Sequence, residues 1–341
     1  MYSLPPEGAL SGFGRPGTTE MQQILAVTVP FFALVLCGYL AARAHFLPES
    51  AIPGLTGFVL YFALPCMLFR FGSSLPAAAL LDPVVIMTWV MVAAIMVAGT
   101  IVVTRSARIG MKDAAFGAMT ATFPNTGFMG VPLLAALLGS QAAGPVLTTV
   151  LVDLIITSSV CIALAHAGEH RGLSLLADML RSLRTALHNP LPWAIVLGMA
   201  ASMTGLRLPG PIDSVVKMLA DAATPVALFT IGTVLWRAGA HVHGGTPPRL
   251  YLPLAAIKLL AHPLLVLVVG GSAMALGAPL SAFTLSVLVL AAALPSASSV
   301  SLLAERYGAD NGRIARAIVT STVFAFATFT LIAWAAQWLK G

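Results

Sequence analysis

Two charged residues stand inside otherwise apolar stretches, and the chemistry they could do is ion pairing or proton exchange within a membrane. Asp153 lies in the middle of the apolar run 143–167, and Lys258 lies within the run 250–276. A charge at the bilayer centre costs about 2.5–3.5 kcal/mol on insertion scales, so such residues usually face a partner or a cavity and mark a pathway. His262 follows Lys258 by four residues and shares its helix face. Lys258 could attract a substrate carboxylate, or take the place of a coupling cation and exchange roles with Asp153. The structural alternatives are an Asp153–Lys258 bridge between packed helices and a lysine that snorkels. Asp221, four residues before Pro225, is either a proton site or an edge residue, with the edge reading favoured.

A second set of residues could bind a ligand. Pro124-Asn125-Thr126-Gly127 interrupts the run 113–138, and Pro295-Ser296-Ala297-Ser298-Ser299 interrupts the run 280–304. Proline removes a backbone donor and clashes with the preceding turn, so each run should break there. Half-helices meeting at such breaks aim positive N-termini at mid-membrane depth, a ready site for an anionic group. Asn125 is the foremost candidate, because an amide both donates and accepts. The expected substrate-binding set is Pro124, Asn125, Thr126, Gly127, Pro295, Ser296 and Ser298, and Pro65 and Pro225 are expected to break two further helices.

The elements that must position these residues follow from composition. The chain has 341 residues, 58% hydrophobic and 9% charged, with mean hydropathy +0.94, whereas soluble chains carry about 25% charged residues. A soluble enzyme, a nucleic-acid binder and a disordered chain are excluded. Apolar runs recur at 21–43, 54–70, 83–104, 113–138, 143–167, 190–205, 212–236, 250–276, 280–304 and 313–338. They lack the period-2 alternation of barrel strands, so they read as ten transmembrane helices. Residues 1–20 read as a disordered tail, and 168–189 as a cytoplasmic linker helix. Lys and Arg concentrate after odd-numbered runs, as at Arg105, Arg108 and Lys112, or Arg306, Arg313 and Arg316. That side should be cytoplasmic, with both termini outside.

Similar segments recur along the chain. Pro65 and Pro225 stand 160 residues apart, Pro124 and Pro295 171 apart, and Thr157-Ser158-Ser159 and Thr320-Ser321-Thr322 163 apart. Two halves of five helices, 21–167 and 190–338, would then have opposite topology, as inverted-repeat transporters do. Cys37, Cys66 and Cys161 all fall in apolar runs, which excludes a disulfide framework. His166, His170, His188, His241 and His243 cluster in or near loops without nearby cysteines, so no metal or other cofactor is expected.

The run Pro124-Asn125-Thr126-Gly127-Phe128-Met129-Gly130-Val131-Pro132 resembles the fourth-helix motif of the auxin efflux carrier family. Thr224-Pro225-Val226-Ala227-Leu228-Phe229 with Ile231-Gly232 is similar to its seventh helix, and Leu294-Pro295 through Ala304-Glu305-Arg306-Tyr307-Gly308 to its ninth. The resemblance implies an all-α membrane protein of ten helices in two inverted five-helix repeats, with helices four and nine broken where they cross. It further implies a scaffold of spans 1, 2, 6 and 7, a moving domain of spans 3–5 and 8–10, and a homodimer through the scaffold. No long insertion follows the fifth run, which favours the bacterial branch, whose proposed substrates are small organic anions such as malonate.

A secondary transporter of a small organic anion in a bacterial inner membrane is therefore the leading expectation, with coupling to H+ or Na+ open. No P-loop is present to use ATP. The alternatives are a carrier like the bile-acid sodium symporters, a channel, and an intramembrane enzyme. Neither H-E-x-x-H nor G-x-S-x-G occurs, so enzymatic activity is not expected.

Overall fold

A computed structural model describes residues 20–167, 175–240 and 246–337. The expected tail up to residue 19, residues 168–174 of the linker, His170, His241, His243 and Trp338 lie outside the described residues. The described residues are helical, with only two isolated β-bridges. In chain order the helices are α1 (Glu20–Arg43), α2 (Ala51–Ser74), α3 (Pro83–Thr104), α4 (Met111–Thr122), α5 (Thr126–Leu138), α6 (Ser140–Ala167), α7 (Leu175–Ala186), α8 (Pro190–Thr204), α9 (Gly210–Ala240), α10 (Pro248–Ala275), α11 (Ala282–Ala293), α12 (Ser299–Arg306) and α13 (Asn311–Gln337).

Seven stretches among the described residues are long and apolar enough to cross a membrane, namely α1, α2, Ala77–Thr104, α6, α9, α10 and Asn311–Ala336. The remaining apolar runs form shorter helices. The fourth is divided into α4 and α5, the ninth into α11 and α12, and α8 ends where Gly205 turns left-handed at φ 66°. Local chemistry sets the starts. Asp82 accepts from the backbone N–H groups of Val84 and Val85 ahead of Pro83, and Asn189 accepts from Leu191 ahead of Pro190. A capping side chain followed by proline at the first helical position satisfies a helix start twice over.

Two of the expected breaks are not breaks. Helix α9 runs unbroken through Pro225 from Gly210 to Ala240. Helix α2 passes Pro65 because a wide π-turn, Val59–Ala63, precedes it, with the Leu64 N–H reaching back to the Val59 carbonyl. The wider turn resets the bonding register just where proline has no donor to give. The same device recurs before Pro132, after the π-turn Thr126–Gly130, and before Pro263, after the π-turn Ile257–Ala261.

Two groups of helix contacts stand out, and α13 joins them, since it packs on α1 and α9 as well as on α10. In one, α9 lies along α1 and α2, and α8 lies along the latter part of α2. In the other, α4 packs on α3 and α6, α10 packs on α3 and α11, and α13 packs on α10. Close approach in the first group rests on glycine. A Cβ at Gly38 would sit 1.9 Å from the Phe229 carbonyl oxygen, and one at Gly232 would sit 2.0 Å from that of Val35. Small residues let membrane helices approach this closely.

Arg313, expected to be a loop charge, is buried in the second group. Its Nε donates to the Leu250 carbonyl and its Nη1 to that of Asp113, while Asp113 also accepts from the Asp310 N–H. One guanidinium thus ties together the starts of α4, α10 and α13.

Candidate functional site

The two broken runs meet. Between α4 and α5 the chain is extended at Phe123, and between α11 and α12 it is extended at Leu294. The Asn125 N–H donates to the Pro295 carbonyl at 2.8 Å, and the Ala297 N–H donates to the Phe123 carbonyl at 3.0 Å. Pro124 lies opposite Ser296 as a short antiparallel bridge. Proline suits this place, since it ends each helix and its missing donor is not required by the crossing. The backbone groups released by the breaks therefore satisfy each other.

The crossing borders a cavity of about 80 Å³. Pro124, Asn125, Thr126, Gly127 and Ser298 line it, whereas Pro295 and Ser296 do not. The Ser296 hydroxyl instead donates to the Thr120 carbonyl at 2.7 Å, and its N–H is held by Ser321. Asn125 is 3% exposed, and its carboxamide faces the cavity without a hydrogen-bond partner among the described residues. A buried, unpaired amide is uncommon in folded proteins, and its hydrogen-bonding capacity is left for something else. Helices α5 and α12 both start at the cavity, where first-turn N–H groups have no partner within the helix. Ser299 of the ninth-run break lines it as well, and sequence reasoning missed Thr56, Thr230 and Asn189, which also line it. They come from helices distant in sequence.

The opposite ends of the crossing helices are neutralised. Lys258 Nζ donates to the Ala292 carbonyl at the end of α11, and Ser296 meets that of Thr120 near the end of α4. A cation at a helix C-terminus offsets the negative end of its dipole.

Asp153 and Lys258 are fully buried and do not line the cavity at the crossing. No ion pair within 4.0 Å joins them. The bridge considered from sequence is replaced by two separate ties. Asp153 Oδ1 accepts from Trp89 Nε1 at 3.0 Å and from the Thr157 hydroxyl at 3.1 Å, while Oδ2 has no partner. Lys258 meets His262 Nδ1 at 2.8 Å, and the His262 and Trp89 rings lie 5.4 Å apart. One buried network thus runs from α6 through α3 to α10. Trp89→Phe should lower stability by about 0.5–1.5 kcal/mol, the net worth of one of the two hydrogen bonds that Asp153 Oδ1 accepts. Thermal melting of the purified protein in detergent checks it, and an unshifted curve would show that Asp153 does not need the indole.

Asp221 is exposed and pairs with Lys217 at 2.6 Å, one turn away. With Arg70 and Thr224 it lines a vestibule of about 510 Å³. At the other end a vestibule of about 790 Å³ lies beside Glu49, Arg237, Glu305 and Asp310. It shares Val234 and Leu302 with the cavity, while the smaller vestibule shares no lining residue with it. The cavity therefore continues toward the α1–α2 and α9–α10 connections.

The chain is similar to known membrane transport proteins. The chain is 28% identical over 321 residues to a protein of Rhizobium meliloti (strain 1021) named "Putative malonate transporter", covering 91% of this chain and 95% of that one. It is 25% identical over 285 residues to "Uncharacterized transporter YfdV" of Escherichia coli (strain K12), covering 82% and 87%. It is 22% identical over 363 residues to "Auxin efflux carrier component 8" of Arabidopsis thaliana, covering 91% and 96%. The model of the family described as "Membrane transport protein" matches residues 23–334. With helices built to span a bilayer and a crossing that holds an unpaired amide, the chain belongs to this membrane transport protein family, which includes the auxin efflux carriers.

Proposed function

We propose that the protein is a secondary transporter that moves a small organic anion by alternating access, with the substrate held at the Asn125 crossing. The observation that carries this reading is the buried, unpartnered Asn125 carboxamide between two helix starts. The relative named for malonate supports a small carboxylate as substrate. Pro124, Thr126, Gly127 and Ser298 complete the cavity side, and Pro295 and Ser296 hold the crossing together. The membrane is the inner membrane of a bacterium, with the larger vestibule facing the cytoplasm, because Arg43, Arg237 and Arg306 lie toward that end.

We read the chain as ten spans in two inverted repeats, with both termini outside. Support comes from positions that recur at one offset. Pro65 and Pro225 are 160 residues apart, as are Gly38 and Gly198, and Gly72 and Gly232. Gly38 and Gly232 are close to each other's helices, and Gly198 would meet Gly72 Cα at 3.1 Å through its Cβ. The α1–α9 contact thus has a counterpart in α2–α8. Helices α1, α2, α8 and α9 serve as scaffold, and the remaining helices carry the crossing past it. Asp153 and Lys258 are the coupling charges in that moving group, with H+ or Na+ as the coupled ion and no other cofactor.

Purified protein in proteoliposomes should accumulate a labelled small carboxylate when a proton or sodium gradient is imposed. Saturable exchange that ignores both gradients would leave a uniporter and remove the coupling role. No saturable carboxylate movement at all would overturn the reading.

A further inference from the structure

The lining of the cavity bears on how much negative charge it can hold. Resting on the reading of the Asn125 crossing as the substrate site, we infer that the preferred substrate is a monocarboxylate with a compact apolar body, and that dicarboxylates are poor ligands.

The polar groups are gathered at the crossing, where Asn125, Thr126, Ser298 and Ser299 border the cavity. The facing wall is apolar, built from Leu60, Val150, Leu154, Ile231 and Leu302. The positive potential comes from the starts of α5 and α12, each equivalent to roughly +0.5 elementary charge. Together they match one carboxylate. A third helix start, that of α8, also borders the cavity, but there the Leu191 N–H is already taken by Asn189 Oδ1 at 3.0 Å. The Asn125 carboxamide has no partner and can donate to the same carboxylate.

Nothing comparable awaits a second carboxylate. Among the described residues no lysine, arginine or histidine lines the cavity. Lys258, which does not line it, is turned to the Ala292 carbonyl and to His262, and Asp153 places an opposite formal charge in the same network. A second carboxylate kept inside would lie against the apolar wall. Extended into the vestibule, it would meet the carboxylates of Glu49, Glu305 and Asp310 beside Arg237. A buried charge without a partner is strongly disfavoured, so a dianion loses affinity at either place. The 80 Å³ cavity limits the apolar body to a few carbon atoms.

Calorimetric titration of the purified full-length protein in detergent with isovalerate and with malonate at pH 7 tests this. Isovalerate should bind with a Kd at least tenfold lower than that of malonate, and Asn125→Ala should weaken its binding at least tenfold. Malonate binding as tightly as isovalerate, or tighter, would overturn the monocarboxylate preference while leaving a carboxylate carrier in place. Binding of neither acid, or isovalerate binding unchanged in Asn125→Ala, would overturn the crossing site and the preference together.

Discussion

Asn125→Ala should raise the substrate concentration needed for half-maximal transport tenfold or more, with the melting temperature nearly unchanged. A hydrogen bond to a charged group is worth about 1.5–3 kcal/mol, which is roughly ten- to over a hundredfold in affinity. The carboxamide makes no hydrogen bond within the described residues, so truncating it orphans no protein group. The two bonds that hold the crossing run between backbone atoms and survive the change. Asn125→Asp sharpens the test. The residue stands at the N-cap of α5, where a carboxylate stabilises a helix by about 0.3–1 kcal/mol. The same carboxylate would occupy the anion site from within, so transport should fail. Transport kinetics unchanged in both variants would remove Asn125 from the pathway.

Gly232→Ala should destabilise the protein strongly, by driving α1 and α9 apart. The new Cβ would lie 2.0 Å from the Val35 carbonyl oxygen and 2.5 Å from the Tyr39 nitrogen. Both are backbone atoms, so no side chain can swing aside and α1 and α9 must separate. Overpacking of this kind costs about 1–3 kcal/mol, occasionally more. Gly38→Ala meets the Phe229 carbonyl in the same seam, and a single separation of the helices relieves both clashes. The double variant should therefore cost less than the two single costs added. Gly99→Ala is the control, since nothing lies within 4 Å of its Cβ. Melting curves and gel-filtration profiles in detergent check the series, and a wild-type curve for Gly232→Ala would mean that the helices are not held this closely.

What could be read from the sequence follows from how far each interaction reaches. The breaks at Pro124 and Pro295 are local consequences of proline chemistry, and the polar residues beside them line the cavity for the same reason. Pro65 and Pro225 carry the same residue type without breaking their helices. A π-turn upstream of Pro65 and uninterrupted helix on both sides of Pro225 depend on neighbours that the string does not display. Of the partners of the buried charges, His262, one turn from Lys258, was within reach, and the distant ones were not. Asp153 pairs with an indole 64 positions away, and Lys258 with a carbonyl 34 positions away, and neither partner carries a charge that would draw attention. Ser296 was a reasonable ligand candidate by type, yet its hydroxyl is spent on the Thr120 carbonyl. The glycine seam was accessible. Gly38 with Gly198 and Gly72 with Gly232 repeat the 160-residue offset of the two prolines.

The π-turns have a mechanical consequence for the buried ions. Asp153 opens the π-turn Asp153–Thr157, and Lys258 lies in the π-turn Ile257–Ala261. A π-turn accommodates one residue more than an α-turn, and in an α-helix one residue amounts to about 100° of rotation and 1.5 Å of rise. Moving that surplus residue along the helix would swing either side chain to a different neighbour while every other turn kept its hydrogen bonds. Both ions are thus mounted where their helices have slack, so a new set of partners costs a change of register rather than a broken helix.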